Sequence, residues 1–235
     1  MIDETDPTLD EILPGLFLSG FKKASRIYLL QKYRITHILT LCEDIPPCFP
    51  DQFTYCVHSI DDSQEVNIRA LLSETNNFID QAIAQNGHVL VHCLMGISRS
   101  ATAVIAYVMW KKHMRFAEAI AFVKGKHQET DPNAGFRLQL QDFQCALFPE
   151  DEAQFRRCKC GVLLFHNSDI LTHRNERCSR YFVKLADWMR AWGDAGVIRC
   201  YMCKVEIGRY DNWVGLPCAC GQHWHQAYFI DEVKL

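Results

Sequence analysis

The chain has 235 residues, with 25 Lys and Arg against 28 Asp and Glu and a formal net charge of −3. Hydrophobic residues make up 49% and charged residues 23%, which is typical of a globular protein and excludes a disordered, collagen-like or coiled-coil chain. The near-neutral charge gives no support for general nucleic-acid or membrane-surface binding. The longest apolar run, 101–110, is too short to cross a bilayer, and the acidic amino terminus lacks the apolar core of a signal peptide. We therefore expect an intracellular protein with no membrane association.

Strand-like and helix-like spacings of apolar residues alternate over the first two thirds of the chain. The predicted elements, in chain order, are a strand at 15–19, a helix at 24–33, strands at 36–41 and 55–60, a helix at 68–85, a strand at 88–92, and helices at 98–112, 115–124 and 135–147. The strand at 88–92 is largely apolar, so we expect it to be buried on both faces. This alternation predicts an α/β fold with a central, mostly parallel sheet and helices on both faces.

Cysteine and charge are distributed unevenly along the chain. Residues 1–150 contain five of the 12 cysteines and 13 basic against 18 acidic residues, whereas 151–235 contain seven cysteines and 12 basic against 10 acidic residues. The stretch 148–153 interrupts the preceding helical pattern. We therefore predict one domain over 1–150 and a cysteine-rich second domain over 151–235.

The sequence HCLMGISRS at 92–100 follows the predicted buried strand and opens the next helix. Backbone N–H groups of such a loop can point into one cup that binds a dianion, and Gly96 lets the backbone turn there. Arg99 offers a planar guanidinium that matches two phosphoryl oxygens, and the same positive field favours the nucleophilic thiolate of Cys93. The predicted phosphate-binding residues are Leu94, Met95, Gly96, Ile97, Ser98 and Arg99.

The segment HCLMGISRSATAVIAYVM at 92–109 resembles the signature of the dual-specificity protein phosphatases. GLFLSG at 15–20, HILTLCED at 37–44 and the segment 132–140 are similar to the opening strands and the closing helix of that family. The resemblance implies a cysteine-dependent phosphatase fold and a protein phosphatase that acts on phosphotyrosine and on phosphoserine or phosphothreonine. The substrates would be phosphoproteins. Met95 departs from the family, in which alanine is commoner, and we expect altered rim contacts with catalysis retained.

The resemblance also implies catalytic roles for individual residues. Cys93 would form a phosphocysteine, which water then hydrolyses without a cofactor. Arg99 would stabilise the transferring phosphoryl group, Ser100 would hydrogen-bond the departing sulfur, and His92 would orient the loop.

The general acid of this family is an aspartate on the loop after the strand that precedes the long helix. When 57–60 is aligned as the strand end, Asp61 takes this position. Asp62 is the alternative, because the register of a loop can slip by one residue.

The second domain carries cysteine and histidine at metal-ligand spacing. In an intracellular protein such pairs favour metal over disulfides, and eight ligands suffice for two tetrahedral, structural zinc ions. The predicted ligands are Cys158, Cys160, His173, Cys178, Cys200, Cys203, Cys218 and Cys220. Three further histidines, any of which is an alternative to Cys158, are His166, His223 and His225.

This second domain also resembles a known one. HNSDILTHRNERCSRYFVKLADWM, CYMC and CACG are similar to the carboxy-terminal zinc-binding domain of one dual-specificity subfamily of yeast and animals. That subfamily is associated with late maturation of the large ribosomal subunit, for which its zinc domain is needed. The resemblance implies pre-ribosomal large-subunit particles as a partner and a location in the cytoplasm and nucleus. The alternative function is therefore a ribosome-assembly or adaptor protein that acts through its zinc-binding domain.

Overall fold

The computed structural model describes residues 8–171, 180–189, 194–213, 216–217, 223–224 and 227–231. Within these ranges no helix combines the length and the apolar character needed to cross a membrane. The chain divides into two compact units, of which the first ends at Leu147 and the second begins at Phe148. The predicted boundary after residue 150 falls inside the short 3-10 helix Pro149–Gln154.

In the described chain, five strands form the sheet of the first unit: β1 (Asp10–Leu13), β2 (Leu16–Gly20), β3 (His37–Leu41), β4 (Thr54–His58) and β5 (Val89–Cys93). Their order is β1-β2-β5-β3-β4, and all neighbours are parallel except β1 and β2. The predicted α/β fold with a mostly parallel sheet is confirmed. β1 is absent from the predicted elements, because its four residues are too few to show an alternation.

The helices of the first unit are α1 (Phe21–Ala24), α2 (Ile27–Lys32), α3 (Leu72–Ala84), α4 (Arg99–Lys112), α5 (Phe116–Lys126) and α6 (Ala134–Leu147). The helix predicted at 24–33 is shorter and corresponds to α2, which begins at Ile27 because Arg26 adopts an extended conformation with ψ of 100°; α1 precedes it and ends at Ala24. The helix predicted from residue 68 begins with the 3-10 turn Ile68–Leu71, whose Asn67 side chain accepts a hydrogen bond from the Ala70 N–H.

Successive side chains along each strand point to opposite faces of the sheet, and apolar residues cover both faces. The larger core joins one face to α3, α4, α5 and α6, and its strand residues are Ile12, Leu13, Leu16, Leu18, Leu39, Leu41, Val89 and Val91. On the opposite face Phe17, Leu90 and Ile38 lie side by side and pack with residues of α1 and α2. β5 at the centre is buried along its whole length, as predicted. The core therefore holds the carboxyl end of β5, where Cys93 lies.

The second unit consists mainly of antiparallel strands in the part that the structure describes. They are β6 (Phe155–Arg157), β7 (Leu163–His166), β8 (Arg180–Val183), β9 (Ala195–Arg199), β10 (Glu206–Asp211), β11 (Leu216–Pro217), β12 (His223–Trp224) and β13 (Ala227–Asp231). β6 pairs with β7, β11 pairs with β12, and the remaining four form a sheet in the order β8-β13-β10-β9. The turns between β6 and β7 and between β9 and β10 each carry two cysteines.

Candidate active site

The Cys93–Arg99 loop connects the central strand β5 to the amino end of α4. Cys93 is the last residue of β5 and Arg99 is the first residue of α4, and the two are 1% and 7% exposed. Because both elements are anchored in the core, both ends of the loop are held in place. The amino end of α4 also presents unpaired N–H groups and a positive partial charge, which favour an anion at this loop.

Gly96 lies in the middle of the loop, where only glycine is tolerated. Its φ is +84°, and a Cβ added there would come within 2.7 Å of the Gly20 backbone nitrogen. A Cβ added to Gly20 would in turn meet the Met95 carbonyl oxygen at 2.7 Å. The loop therefore packs directly on the end of β2, and the two glycines make this close approach possible.

Cys93 accepts hydrogen bonds from two donors. The Gly96 N–H and the Ser100 hydroxyl each lie 3.2 Å from its Sγ. Donors aimed at the sulfur stabilise negative charge there, and the thiolate is the nucleophilic form of cysteine. The structure therefore places Ser100 against the sulfur, where its predicted role requires it.

Three carbonyl groups of the loop are fixed by donors outside it. Phe21 N–H donates to the Leu94 oxygen at 3.0 Å, His127 Nε2 to the Gly96 oxygen at 3.2 Å, and Asp131 N–H to the Ile97 oxygen at 2.9 Å. Across a planar trans peptide, the carbonyl and the following N–H point in opposite directions. The following amides of the loop therefore point away from these donors and remain available to an anion; they belong to Met95, Ile97 and Ser98.

Arg99 lies with its guanidinium buried beside the loop. Its Nη1 donates to the Ile60 carbonyl oxygen at 2.9 Å and contacts the Cys42 sulfur at 3.5 Å. Among the described residues its buried Nε has no hydrogen-bond acceptor, and the nearest carboxylate oxygen, Asp62 Oδ2, is 3.7 Å away. A buried donor without an acceptor is costly, so this nitrogen marks a position that a phosphoryl oxygen can fill.

The structure brings Asp62, rather than Asp61, to the loop. Asp62 Oδ1 accepts hydrogen bonds from the Ser98 hydroxyl at 2.7 Å and from the Asn133 side-chain amide at 2.8 Å. The Asp61 carboxylate instead accepts from the backbone N–H of Asp62 at 2.7 Å. The geometry therefore favours the alternative register over the one expected from the sequence.

His92 is buried and neutral at neutral pH, because desolvation lowers its pKa to about 4. Its Nδ1 lies 3.3 Å from the Cys93 carbonyl oxygen, which can only accept, so Nδ1 carries the proton. Its Nε2 then accepts from the Thr40 hydroxyl at 2.9 Å. A histidine held in this way orients the strand end and the loop and does not transfer protons at neutral pH.

Two further residues, His127 and Asn133, hold the loop; of these, Asn133 lies in the segment 132–140 that resembles the family's closing helix, but the sequence does not show its contact with the loop. His127 reaches the loop through Gly96, and its Nδ1 lies within hydrogen-bond distance, 2.5 Å, of the Asp10 carboxylate of β1. Asn133 donates its backbone N–H to Ser98 Oγ at 3.1 Å. Each of these contacts joins segments that are far apart in the chain, so no local sequence pattern predicts the contacts.

Four of the predicted zinc ligands lie together in the second unit: Cys158, Cys160, Cys200 and Cys203. Their sulfurs all lie within 4.8 Å of one another, and the Cys158–Cys203 and Cys160–Cys200 sulfurs are each 3.7 Å apart. Four thiolates at the usual zinc–sulfur distance of about 2.3 Å are separated by about 3.8 Å in a tetrahedron. The cluster therefore fits a zinc ion.

The turns that carry these cysteines are tight. Cys158 N–H donates to Val162 O at 2.9 Å, and Cys200 N–H donates to Val205 O at 2.9 Å. The pair Cys158 and Cys160 thus converges on the same point as the pair Cys200 and Cys203.

The other predicted ligands, His173, Cys178, Cys218 and Cys220, lie outside the described residues, as does His225. His166 hydrogen-bonds Gln154 and Ser168. Of His223 only the backbone is described.

Comparison with known proteins identifies the family of the first unit. Residues 16–146 match the sequence profile described as dual specificity phosphatase, catalytic domain. The chain is 41% identical over 150 residues to dual specificity protein phosphatase 1 of Arabidopsis thaliana, covering 64% of this chain and 75% of the relative.

Two solved structures are similar in fold and sequence. One is the human tyrosine phosphatase-like serine/threonine/tyrosine-interacting protein, with 40% identity, a TM-score of 0.58 and coverage of 60% of this chain and 98% of that one. The other is the Yvh1 phosphatase domain of Chaetomium thermophilum, with 31% identity, a TM-score of 0.55 and coverage of 62% and 100%. The family profile matches more than half of the chain and includes the whole Cys93–Arg99 loop. The chain therefore belongs to the dual-specificity phosphatase family.

Proposed function

We propose that this dual-specificity protein phosphatase removes phosphate in two steps, through a phosphocysteine at Cys93. In the first step the thiolate attacks phosphorus in line, a sulfur–phosphorus bond forms, and the bond from phosphorus to the substrate oxygen breaks. The leaving oxygen takes a proton from a general acid. In the second step water gives a proton to the carboxylate left by the general acid and attacks phosphorus; the sulfur–phosphorus bond breaks, inorganic phosphate is released, and the electron pair returns to sulfur.

One arrangement carries this proposal. The Cys93 sulfur accepts hydrogen bonds from two donors. It lies on the same loop as Arg99, whose buried Nε has no hydrogen-bond acceptor in the described chain. The nucleophilic sulfur and an N–H group that can donate to a bound dianion therefore lie on one loop, at the amino end of a helix. The loop amides and Arg99 would stabilise the charge that spreads over the transferring oxygens.

Asp62 is the proposed general acid. It lies on the segment after β4, bonds to Ser98 of the loop and remains one-third exposed, so a substrate oxygen can reach it. The Asp61 carboxylate bonds to the backbone of its neighbour instead. We therefore propose Asp62, the alternative in the sequence analysis, in place of Asp61.

The rim of the loop favours a protein substrate. Leu94 and Met95 are 51% and 63% exposed, and with Ile97 they make a rim without cationic side chains around the buried Arg99. A neutral rim suits the phosphorylated side chain of a peptide, whether tyrosine, serine or threonine, better than the additional phosphates of an inositol lipid.

A substrate-trapping experiment tests this function. Cys93→Ser should bind phosphotyrosine and phosphothreonine peptides but not turn them over, since an alcohol is not ionised at neutral pH. Cys48→Ser, which changes an exposed cysteine away from the loop, is the matched control and should retain full activity. Undiminished turnover by Cys93→Ser would exclude the phosphocysteine route.

For the second unit we propose two structural zinc ions and docking on pre-ribosomal large-subunit particles in the cytoplasm and nucleus. The cluster of four cysteines supports one ion, and the remaining predicted ligands would hold the other. The excess of 12 basic over 10 acidic residues in 151–235 agrees with the docking role.

Sedimentation of cell extracts tests the docking role. Wild type and Cys93→Ser should both migrate with large-subunit precursors, whereas Cys200→Ser should not. Fluorescent imaging should show the chain in both compartments. If Cys200→Ser sediments like wild type, the zinc domain is not the docking element.

A further inference from the structure

A group of three metal-ligating side chains lies in the first unit, away from the Cys93–Arg99 loop: Cys56, His58 and Glu74. Cys56 and His58 are two positions apart on the edge strand β4, so their side chains lie on the same face. Cys56 packs against the larger core on that face. Glu74 belongs to the first turn of α3, which also packs into that core. The fold thus brings a strand edge and a helix end together at one point.

The distances within this group match those of a metal centre. Cys56 Sγ lies 3.5 Å from His58 Nε2, which lies 4.0 Å from Glu74 Oε2, and the ligand atoms all lie within 4.8 Å of one another. In a tetrahedral zinc site with usual bond lengths, sulfur and nitrogen ligands are about 3.6 Å apart. The Cys56–His58 pair already has this separation.

The chemistry of the group selects the metal. A thiolate, an imidazole and a carboxylate form a donor set that zinc accepts, whereas calcium and magnesium require oxygen ligands. The His58 side chain is 12% exposed and lies within hydrogen-bond distance of Cys56. The Glu74 side chain is 65% exposed, so it can move to bring its carboxylate to the metal. Three protein ligands leave the fourth position of the tetrahedron to water.

We propose that Cys56, His58 and Glu74 bind one zinc ion that links β4 to α3. The two elements flank the segment that leads from His58 to Asp62, so the ion would hold the strand from which the proposed general acid emerges. In the absence of metal, burial and the Glu74 carboxylate raise the pKa of the Cys56 thiol, and the thiol then hydrogen-bonds His58. The competing description is this thiol–imidazole hydrogen bond alone.

Zinc bound per full-length chain distinguishes the two descriptions. Wild type, Cys56→Ala and His58→Gln are dialysed against the same zinc buffer, and the metal is measured by mass spectrometry. Wild type should hold one zinc ion more than either variant, whatever number the second unit holds. Cys48→Ala removes an exposed cysteine outside the group and should match wild type. Equal zinc in wild type and Cys56→Ala would overturn the proposal.

Glu74→Gln tests the site without disturbing the core, because Glu74 is largely exposed. Loss of an outer-shell partner weakens metal binding by roughly 10–100-fold, so loss of a direct ligand should cost at least roughly 10-fold. Zinc should raise the temperature at which phosphatase activity is lost in wild type but not in Glu74→Gln. A variant that binds zinc as tightly as wild type and is stabilised to the same extent would remove the carboxylate from the site and overturn the three-ligand assignment.

Discussion

Ser98 donates a 2.7 Å hydrogen bond to Asp62 across a separation of 36 residues in the chain. This contact joins the loop that would bind phosphate to the segment that would supply the proton. Asn133 completes the connection, because its backbone donates to Ser98 and its side chain donates to Asp62. The proton donor is therefore positioned by the loop itself.

We expect Asp62→Asn to lower kcat with phosphotyrosine peptides by about 10²–10⁴-fold, because it removes a general acid. Asp61→Asn is the matched control and should stay within a few-fold of wild type. The loss in Asp62→Asn should shrink with an aryl phosphate whose leaving group needs no proton. Steady-state kinetics of both variants with both substrates check this, and a larger loss in Asp61→Asn would restore the register expected from the sequence.

Ser100→Ala should slow the second step more than the first. The Ser100 hydroxyl donates to the Cys93 sulfur, and a hydrogen bond to a charged group contributes about 1.5–3 kcal/mol, or roughly 10–150-fold in rate. Rapid-quench experiments should then show a burst of product followed by a slow steady state. Ser25→Ala, at an exposed hydroxyl just after α1, should leave both phases unchanged. If the variant shows no burst, Ser100 does not act on the departing sulfur.

Gly96→Ala should destabilise the first unit and abolish activity. A side chain at φ of +84° costs at least about 1–2 kcal/mol, and the close approach to Gly20 adds to this cost. Gly125→Ala on α5 is the control: a Cβ there meets nothing within 4 Å, so the helix should be stabilised by up to about 1 kcal/mol. Denaturant unfolding of both variants measures the difference. Equal stabilities would mean that the loop relaxes around the new methyl group.

Burial of His92 should make the first unit sensitive to acid. Its pKa in the fold is about 4, below the value of about 6.5 for an exposed histidine, so the unfolded chain binds the proton more tightly. The stabilisation from keeping His92 neutral is fully present above about pH 6.5 and is lost as the pH falls towards 4, by about 3 kcal/mol in all. His92→Asn should flatten this dependence in denaturant titrations at several pH values. An unchanged slope in the variant would assign the acid sensitivity to other groups.

At a temperature well below that at which phosphatase activity is lost, chelation should unfold the second unit and leave catalysis intact. Structural zinc supplies about 10–16 kcal/mol of folding free energy in small domains, so the strands around the cluster of four cysteines should melt without it. Cys200→Ser should bind one zinc ion fewer and should lose the strands around the cluster. Cys145→Ser in α6 should keep both the zinc and the strands. Metal analysis and hydrolysis of an aryl phosphate by the full chain report the two effects separately. A second unit that keeps its structure and holds no metal in chelator would contradict the zinc assignment.

The loop itself was predictable because its information is contiguous. A buried strand, then Cys93, Gly96 and Arg99, then an apolar helix occupy adjacent positions, and phosphate binding at such a junction depends on local backbone geometry. Cysteine spacing likewise indicated metal, because a tight turn aims two sulfurs at one point whatever the rest of the fold does.

The tertiary structure decided the partners of these local units. Asp61 and Asp62 are neighbours of identical chemistry, and the positions of Ser98 and Asn133 distinguish them. Cys158 and Cys160 meet Cys200 and Cys203 because two hairpin turns converge. The sequence by itself determined which segments carry nucleophile, arginine and metal ligands, since those depend on neighbours in the chain. Which side chains then face one another depends on how strands and helices pack across tens of residues, and no local spacing records that packing.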